Sequence, residues 1–271
     1  MKVLITGAAG GLGRALAVEC ALRGYDLFLT DVNEGGLLSI KRGLLRRFPV
    51  KVMIKSCDLT SERETGELFQ FADRNGWTFD MLMNVAGIDF EGGFLERSSY
   101  NILKIVRLNI EATLSVTHKA LARRNGSSKR FYLVFVSSLA SMYPMPLKAV
   151  YAASKRFLLS LAYALGQELK SRNVSVLALC PGGLPTTPDA LAGIQAQGFW
   201  GKLTTNRLET VARRTIEKAL RGRRVYIPGV VNALLSFFGR LIPETAVAKF
   251  LYGRWSKAQK LRFREQAGGA C

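Results

Sequence analysis

The sequence predicts a doubly wound α/β fold on a parallel sheet, with a basic helical C-terminal extension, and three observations lead there. Short apolar or β-branched runs alternate with longer stretches of helical periodicity through the first 180 residues. A glycine-rich turn, Thr6 to Gly13, separates the first apolar run from the first helical stretch. The 271 residues are 48% hydrophobic and 22% charged, enough for one full core and too little chain for two large ones. A disordered or fibrous chain is excluded.

The elements follow in order. Val3-Leu4-Ile5 is a strand, and 11–23 a helix with Leu12, Ala15, Leu16 and Cys20 on one face. Leu27-Phe28-Leu29 is the second strand, 33–47 the second helix and 51–56 the third strand. Ser61 caps the next helix with Glu64 three residues on. Residues 81–83 form a strand, 100–123 a helix, 131–136 a strand, 149–171 a long helix and 174–179 a strand. Right-handed crossovers make such an alternation doubly wound. Residues 223–227 read as the last strand, so 1–229 is taken as the main domain and 230–271 as an extension of it.

In that extension, Val231, Leu234, Leu235, Phe237, Phe238, Leu241 and Ile242 recur at helical spacing until Pro243. A second stretch from Glu244 mixes Val247, Phe250, Leu251 and Trp255 with Lys249, Arg254, Lys257, Lys260, Arg262 and Arg264. Both read as amphipathic helices. They could cap a cleft, join subunits or lie on a membrane surface.

Composition excludes several classes. The four cysteines, Cys20, Cys57, Cys180 and Cys271, are scattered and the only histidine is His118, so no metal site or disulfide framework is expected. Reduced thiols point to the cytoplasm, peripheral to a membrane if the extension binds one. Residues 1–5 run directly into the glycine turn and read as core rather than leader, and no run is long enough for a membrane span. Formal net charge is +19, and residues 201–271 carry 15 Lys/Arg against 4 Asp/Glu. Such a surface suits anionic lipid or an acidic carrier. No nucleic-acid motif accompanies it, so nucleic acid is not expected as a partner.

Thr6-Gly7-Ala8-Ala9-Gly10-Gly11-Leu12-Gly13 has the context of a phosphate cradle, a strand before and an amphipathic helix after. Glycine lets backbone approach a pyrophosphate closely, and the helix N-terminus attracts the anion. Asp31, 20 residues beyond Gly11, can accept both adenosine ribose hydroxyls and repel a 2′-phosphate. NAD is therefore favoured, with NADP left open because Arg14 and Lys41 could contact a phosphate. Tyr151 and Lys155 lie at i and i+4, on one helix face. A nearby cation lowers a phenol's pKa and makes it a usable acid and base. Ser138 ends a predicted strand 13 residues before Tyr151.

These pieces in this order resemble the short-chain dehydrogenase/reductase family, single-domain Rossmann-fold enzymes, over residues 2–190. The TGxxxGxG turn is matched at Thr6, Gly7, Gly11 and Gly13, with Leu12 inside it, and Asp58-Leu59 is similar to the adenine-side acidic position. The NNAG box resembles Asn84-Val85-Ala86-Gly87, with Val85 departing from the pattern. Asn109 matches the helix asparagine, and Pro181-Gly182 with Thr186 the motif beside the nicotinamide. The resemblance implies hydride transfer between a nicotinamide and an alcohol or carbonyl. Tyr151 would move the proton, Lys155 would lower the tyrosine's pKa and hold the nicotinamide ribose, Ser138 would orient the substrate oxygen, and Asn109 would hold a water. By the same analogy Phe94, Leu139, Met142, Tyr143, Pro144, Met145 and Leu147, with a flap over 189–205 carrying Leu191, Ile194, Phe199 and Trp200 and preceded by Leu184, would line the substrate cleft. Their apolar character suggests a hydrophobic secondary alcohol or ketone. An NADP-linked carrier-bound 3-oxoacyl ketoreductase and a non-catalytic dinucleotide-binding adaptor at a lipid surface are the alternatives. The family's usual homodimers or homotetramers join through the helices at 100–123 and 149–171.

Overall fold

The computed structural model describes residues 1–126, 129–186, 204–239, 242–253 and 255. The expected flap residues Leu191, Ile194, Phe199 and Trp200 lie outside these, as do Leu241, Arg254, Lys257, Lys260, Arg262, Arg264 and Cys271.

Seven parallel strands form one sheet in the order β3-β2-β1-β4-β5-β6-β7. They are β1 (Lys2–Thr6), β2 (Asp26–Asp31), β3 (Val52–Ser56), β4 (Met81–Asn84), β5 (Phe131–Val136), β6 (Val174–Leu179) and β7 (Val225–Tyr226). Most of their residues are buried, as a sheet covered on both faces requires. The two-residue period splits their side chains between two cores. Val3, Ile5, Leu29, Met83, Val134 and Leu177 face one core, whereas Leu4, Phe28, Leu82, Leu133, Phe135 and Val176 face the other. Helices α1 (Gly11–Leu22), α2 (Glu34–Leu45) and α7 (Leu208–Leu220) cover the first, and α3 (Glu62–Arg74), α5 (Thr113–Leu121) and α6 (Ala149–Glu168) the second.

The expected strand–helix order is observed, with local differences. The helix anticipated over 100–123 is α4 (Ser99–Val106), a π turn (Arg107–Ala112) and α5 without interruption. The extra residue of a π turn changes which side chains face inward, and such turns concentrate at functional sites. Ser61 caps α3 through the Glu64 amide at 3.2 Å, but the Glu64 carboxylate reaches the Asp58 amide, 2.8 Å away, rather than completing a capping box.

The chain reverses winding between β1 and β4, so their C-terminal ends diverge into a crevice, the usual ligand position in such sheets. Thr6 ties that crevice together. Its hydroxyl oxygen accepts from the amides of Val85 at 3.0 Å and Ala86 at 3.1 Å.

In the extension, α8 (Val230–Phe238) is amphipathic, with its polar edge inward. Its buried residues are Asn232 and Ser236, while Leu234, Leu235, Phe237 and Phe238 are exposed. The Asn232 amide donates to the carbonyls of Thr204 at 3.0 Å and Pro228 at 2.8 Å, which turns the polar edge inward. Residues 244–253 are helical. Among the described residues no helix is long and apolar enough to cross a membrane, and no cluster of side chains could hold a metal.

Candidate active site

The glycine turn is shaped by close backbone approach. Gly7 has φ +63°, and a Cβ there would meet the Ala86 backbone at 2.7 Å. A Cβ on Gly13 would collide with the Gly7 carbonyl, and one on Gly11 would lie 2.9 Å from Thr186 Cα. Thr186 thus stands over the first turn of α1, across from the sheet edge where β1 ends. No side chain caps α1 and no acidic residue lies in its first turn, so its N-terminal amides and dipole are left for an anion. Leu12 is buried in the core behind them and contributes backbone. These features fit the pyrophosphate of a dinucleotide. Gly13→Ala is expected to weaken NAD binding by about 10–100-fold, from strain of about 1–3 kcal/mol, read by calorimetric titration.

Asp31 ends β2 beside this turn. Its Oδ2 accepts from the Ala9 amide and its Oδ1 from the Asn33 amide, both at 3.0 Å. The cap of α2 is Asn33, not Asp31, so the carboxylate keeps lone pairs for a ligand. Asp58 lies farther along the edge, holding the Thr60 amide at 2.9 Å and hydroxyl at 2.7 Å, with Leu59 buried beneath. Arg14 donates to the Ala9 carbonyl at 2.9 Å.

Across the crevice, Asn84 donates to the Thr117 hydroxyl at 2.9 Å and fixes the Asn84-to-Gly87 loop on α5. Val85 packs against the first core, and the loop amides are held by Thr6 despite the departure from the NNAG pattern. Gly87 is needed where it stands. A Cβ there would lie 3.0 Å from Lys155 Nζ and 3.1 Å from Asn109 Oδ1.

The expected acid–base group draws on three elements. Ser138 follows β5 in extended conformation and accepts from the Ala140 amide at 3.1 Å. Tyr151 and Lys155 lie one turn apart on α6. Leu139 donates to the Pro181 carbonyl at 2.8 Å, and the Ser137 hydroxyl to the Lys155 carbonyl at 2.7 Å. These bonds lock the end of β5 to α6 and to the Pro181-Gly182 turn. Gly182 is pressed against Asn232 of α8, 2.8 Å from where its Cβ would be. The importance of Asn232 is invisible in sequence, because its partners are backbone groups remote along the chain.

Electrostatics at this group differ from expectation. By spacing alone, Lys155 should lower the pKa of Tyr151. Instead the Tyr151 phenol is pushed up to about 12, chiefly by burial, with the Asp89 carboxylate adding to the rise and the Ser138 hydrogen bond opposing it. Burial also lowers Lys155 to about 8, against the pull of Asp89. The physical reason is orientation and desolvation. Lys155 Nζ donates to the Val136 carbonyl at 3.0 Å and sits 5.7 Å from the Tyr151 ring centre, and both groups are removed from water. Tyr151 is therefore neutral at pH 7, the form that donates a proton. Asn109 lies inside the π turn. Its Oδ1 accepts from the Ile88 amide at 2.9 Å, and its Nδ2 donates to the Ile88 carbonyl at 3.0 Å and to the Ser154 hydroxyl at 3.1 Å. Its amide braces the loop after β4 against α6.

A cavity of about 370 Å³ opens beside Tyr151. Phe94 and Leu147 line it as expected, joined by Phe90, Ile102, Ile105 and Tyr252. Met142 is instead buried in the second core, with Leu139 and Tyr143 packed against it. Lys148, at the mouth, pairs with Asp89 at 2.6 Å and Glu91 at 3.5 Å, and lies over the Tyr151 and Trp255 rings. Sequence reasoning missed this charged rim, because its members are ordinary surface types before folding brings them together. His118 is exposed on α5, and Cys180 is buried behind Pro181.

Comparison with known proteins agrees with this geometry. The sequence model described as short chain dehydrogenase matches residues 1–193. A diacetyl reductase [(S)-acetoin forming] of Staphylococcus epidermidis is 30% identical over 179 residues, 66% of this chain and 69% of that protein. The 15-hydroxyprostaglandin dehydrogenase [NAD(+)] of Homo sapiens is 30% identical over 189 residues, 68% of each. Among solved structures, a short chain dehydrogenase/reductase from Burkholderia phymatum in complex with NAD superposes with a TM-score of 0.75. It is 23% identical, covering 83% of this chain and 88% of that one.

Proposed function

Because the chain belongs to the short-chain dehydrogenase family, we propose that it moves a hydride between a nicotinamide dinucleotide, NAD in preference to NADP, and a hydrophobic secondary alcohol or ketone. The observation that carries this reading is the meeting of Ser138, Tyr151 and Lys155 beside an apolar-walled cavity, at the sheet edge that also bears the glycine turn.

The dinucleotide supplies or accepts the hydride when bound. The protein's residues do the rest. Ser138 and the Tyr151 hydroxyl converge on one point, where a substrate oxygen can accept from both. In reduction, Tyr151 gives its proton to the oxygen as negative charge develops there. In oxidation it takes the alcohol's proton. Lys155 places positive charge behind this exchange, favouring a transient phenolate over the buried neutral state. Leu147, Phe94 and Ile105 exclude water and recognise an apolar body. The two relatives named above support a secondary alcohol or ketone, since their names specify an acetoin-forming reductase and a hydroxyprostaglandin dehydrogenase.

Asp31 supports NAD, since its carboxylate is fixed where a 2′-phosphate would be repelled. Asp31→Ser is expected to shift the NADP-to-NAD ratio of kcat/KM upward by about 10–100-fold, the worth of a charged hydrogen bond. An unchanged ratio would remove Asp31 from cofactor choice. A homo-oligomer is part of the same reading, supported by Tyr100, Leu103, Leu114, Phe157 and Tyr163 exposed along α4, α5 and α6. The test of the reaction is a panel of alcohols and ketones followed by reduced-nicotinamide absorbance. Turnover of apolar members over small polar ones is expected, and the reverse order would reject the hydrophobic substrate.

A further inference from the structure

We propose that the outward face of α8 docks on an anionic lipid bilayer, and that the extension it begins leads a membrane-dissolved substrate to the Tyr151 cavity.

Helix α8 is packed inside out. Asn232 and Ser236 are 1% and 4% exposed, whereas Val230, Leu234 and Phe237 are 77%, 51% and 64% exposed. A surface helix normally turns its apolar stripe inward. Here it is held the other way. Asn232 grips the backbone at Thr204 and Pro228, and the Tyr143 hydroxyl donates to the Leu235 carbonyl. Rolling the helix over would break these bonds. A contiguous apolar face kept outward by specific hydrogen bonds marks an interaction surface.

Charge selects the occupant. Residues 201–271 hold 15 Lys/Arg against 4 Asp/Glu, within a chain of net charge +19. Lys249, beyond Pro243, is exposed, and Lys257, Lys260, Arg262 and Arg264 follow it in sequence. A second copy would bring the same positive surface against this one, and like charges across an interface oppose docking. An anionic leaflet attracts basic segments, and an apolar face within a basic region is the form of an interfacial helix.

The extension then connects to the cavity. Glu244, just past Pro243, pairs with Arg156 of α6 at 2.8 Å. Farther along the same helical stretch Phe250 is exposed, and Tyr252 forms a wall of the cavity together with Phe94 and Leu95, themselves exposed at its rim. The apolar face of α8 and this cavity wall thus belong to one extension. The delivery role rests on the oxidoreductase reading, whereas the docking itself does not.

The test uses the full chain, sedimented with vesicles of phosphatidylcholine alone or mixed with phosphatidylglycerol, and compared with Leu234→Gln/Phe237→Gln. Wild type is expected to pellet with the mixed vesicles and about tenfold less with the neutral ones, and the double variant to lose about tenfold or more of its binding. Both substituted side chains point outward from the fold, so turnover of a water-soluble ketone and the thermal midpoint should stay unchanged. The proposal is overturned by wild type remaining in the supernatant, by equal pelleting with neutral lipid, or by a double variant that pellets like wild type. It is also overturned by a lipid-free oligomer that the double variant splits, since a second copy would then cover α8. Failure of vesicle binding with ketone turnover intact rejects the docking alone. Vesicle binding without any turnover rejects the oxidoreductase reading and the delivery role.

Discussion

Tyr151→Phe is expected to cut turnover by about 10²–10⁴-fold, the usual worth of a positioned acid–base group, with dinucleotide affinity unchanged. Phe keeps the ring, and so preserves its packing on α6 and the two lysine contacts at 5.7 and 5.9 Å. Only the hydroxyl and its hydrogen bond with Ser138 are lost. The loss should fall on kcat and kcat/KM alike, because the proton moves only as the oxygen charge develops. Steady-state rates with any turned-over ketone, beside a calorimetric titration of the cofactor, check both halves. A variant within about tenfold of wild type would assign the proton transfer elsewhere.

Lys155→Met is expected to separate stability from activity. The wild-type ammonium is buried, with a pKa lowered from 10.5 to about 8 by desolvation. Each pKa unit corresponds to about 1.4 kcal/mol, so the folded state carries a penalty of about 3 kcal/mol at pH 7. Losing the charged donor to the Val136 carbonyl costs about 2 kcal/mol. Methionine, of similar length and without charge, should therefore stabilise the protein by about 1 kcal/mol at pH 7 while abolishing efficient turnover. The sign with pH follows from proton binding. Between about 8 and 10.5 the unfolded lysine is protonated and the folded one is not, so wild-type stability rises with pH across that window. The advantage of the variant should be full below about 8 and should shrink as pH climbs toward 10.5. Tyr151 acts oppositely at higher pH. Its phenol ionises near 10 when unfolded and near 12 when folded, so folding loses stability as pH rises from about 10 to 12. Urea unfolding at pH 7 and pH 9 measures both variants directly. A wild type as stable as Lys155→Met at pH 7, or a gap that widens with pH, would show that the ammonium is not held at an energetic cost.

The two results would also explain what the costly ammonium is for. The Lys155 ammonium is unfavourable in the resting fold, whereas the Tyr151 phenol is neutral and hydrogen-bonded to Ser138. A substrate oxygen that draws the proton from Tyr151 leaves a phenolate beside Lys155, and each charge then stabilises the other. The folded chain carries an unfavourable arrangement that becomes favourable only as the reaction proceeds.

Much of this was readable from the chain. The strand and helix order followed from periodicity, because burial on both sheet faces demands near-continuous apolar runs at Val3 to Ile5 and Phe131 to Val136. The glycine turn was legible because Gly7 and Gly13 have no room for a side chain, a constraint residue identity reports directly. The i, i+4 spacing of Tyr151 and Lys155 placed them on one helix face without coordinates.

Other features depend on groups far apart in sequence. Lys155 was expected to tune Tyr151, but burial outweighs it, and burial is a property of everything packed around α6. The π turn aims the Asn109 amide at Ile88 and Ser154, and no residue pattern announces a π turn. The inward edge of α8 is chosen by the Thr204 and Pro228 carbonyls, so the direction of its apolar stripe, open in the sequence, is set outward. Short-range sterics and side-chain period are written in neighbouring residues and survive in any context. Desolvation, hydrogen-bond partners and the direction a helix faces are set by what the rest of the chain brings to the same place, and only the folded structure determines them.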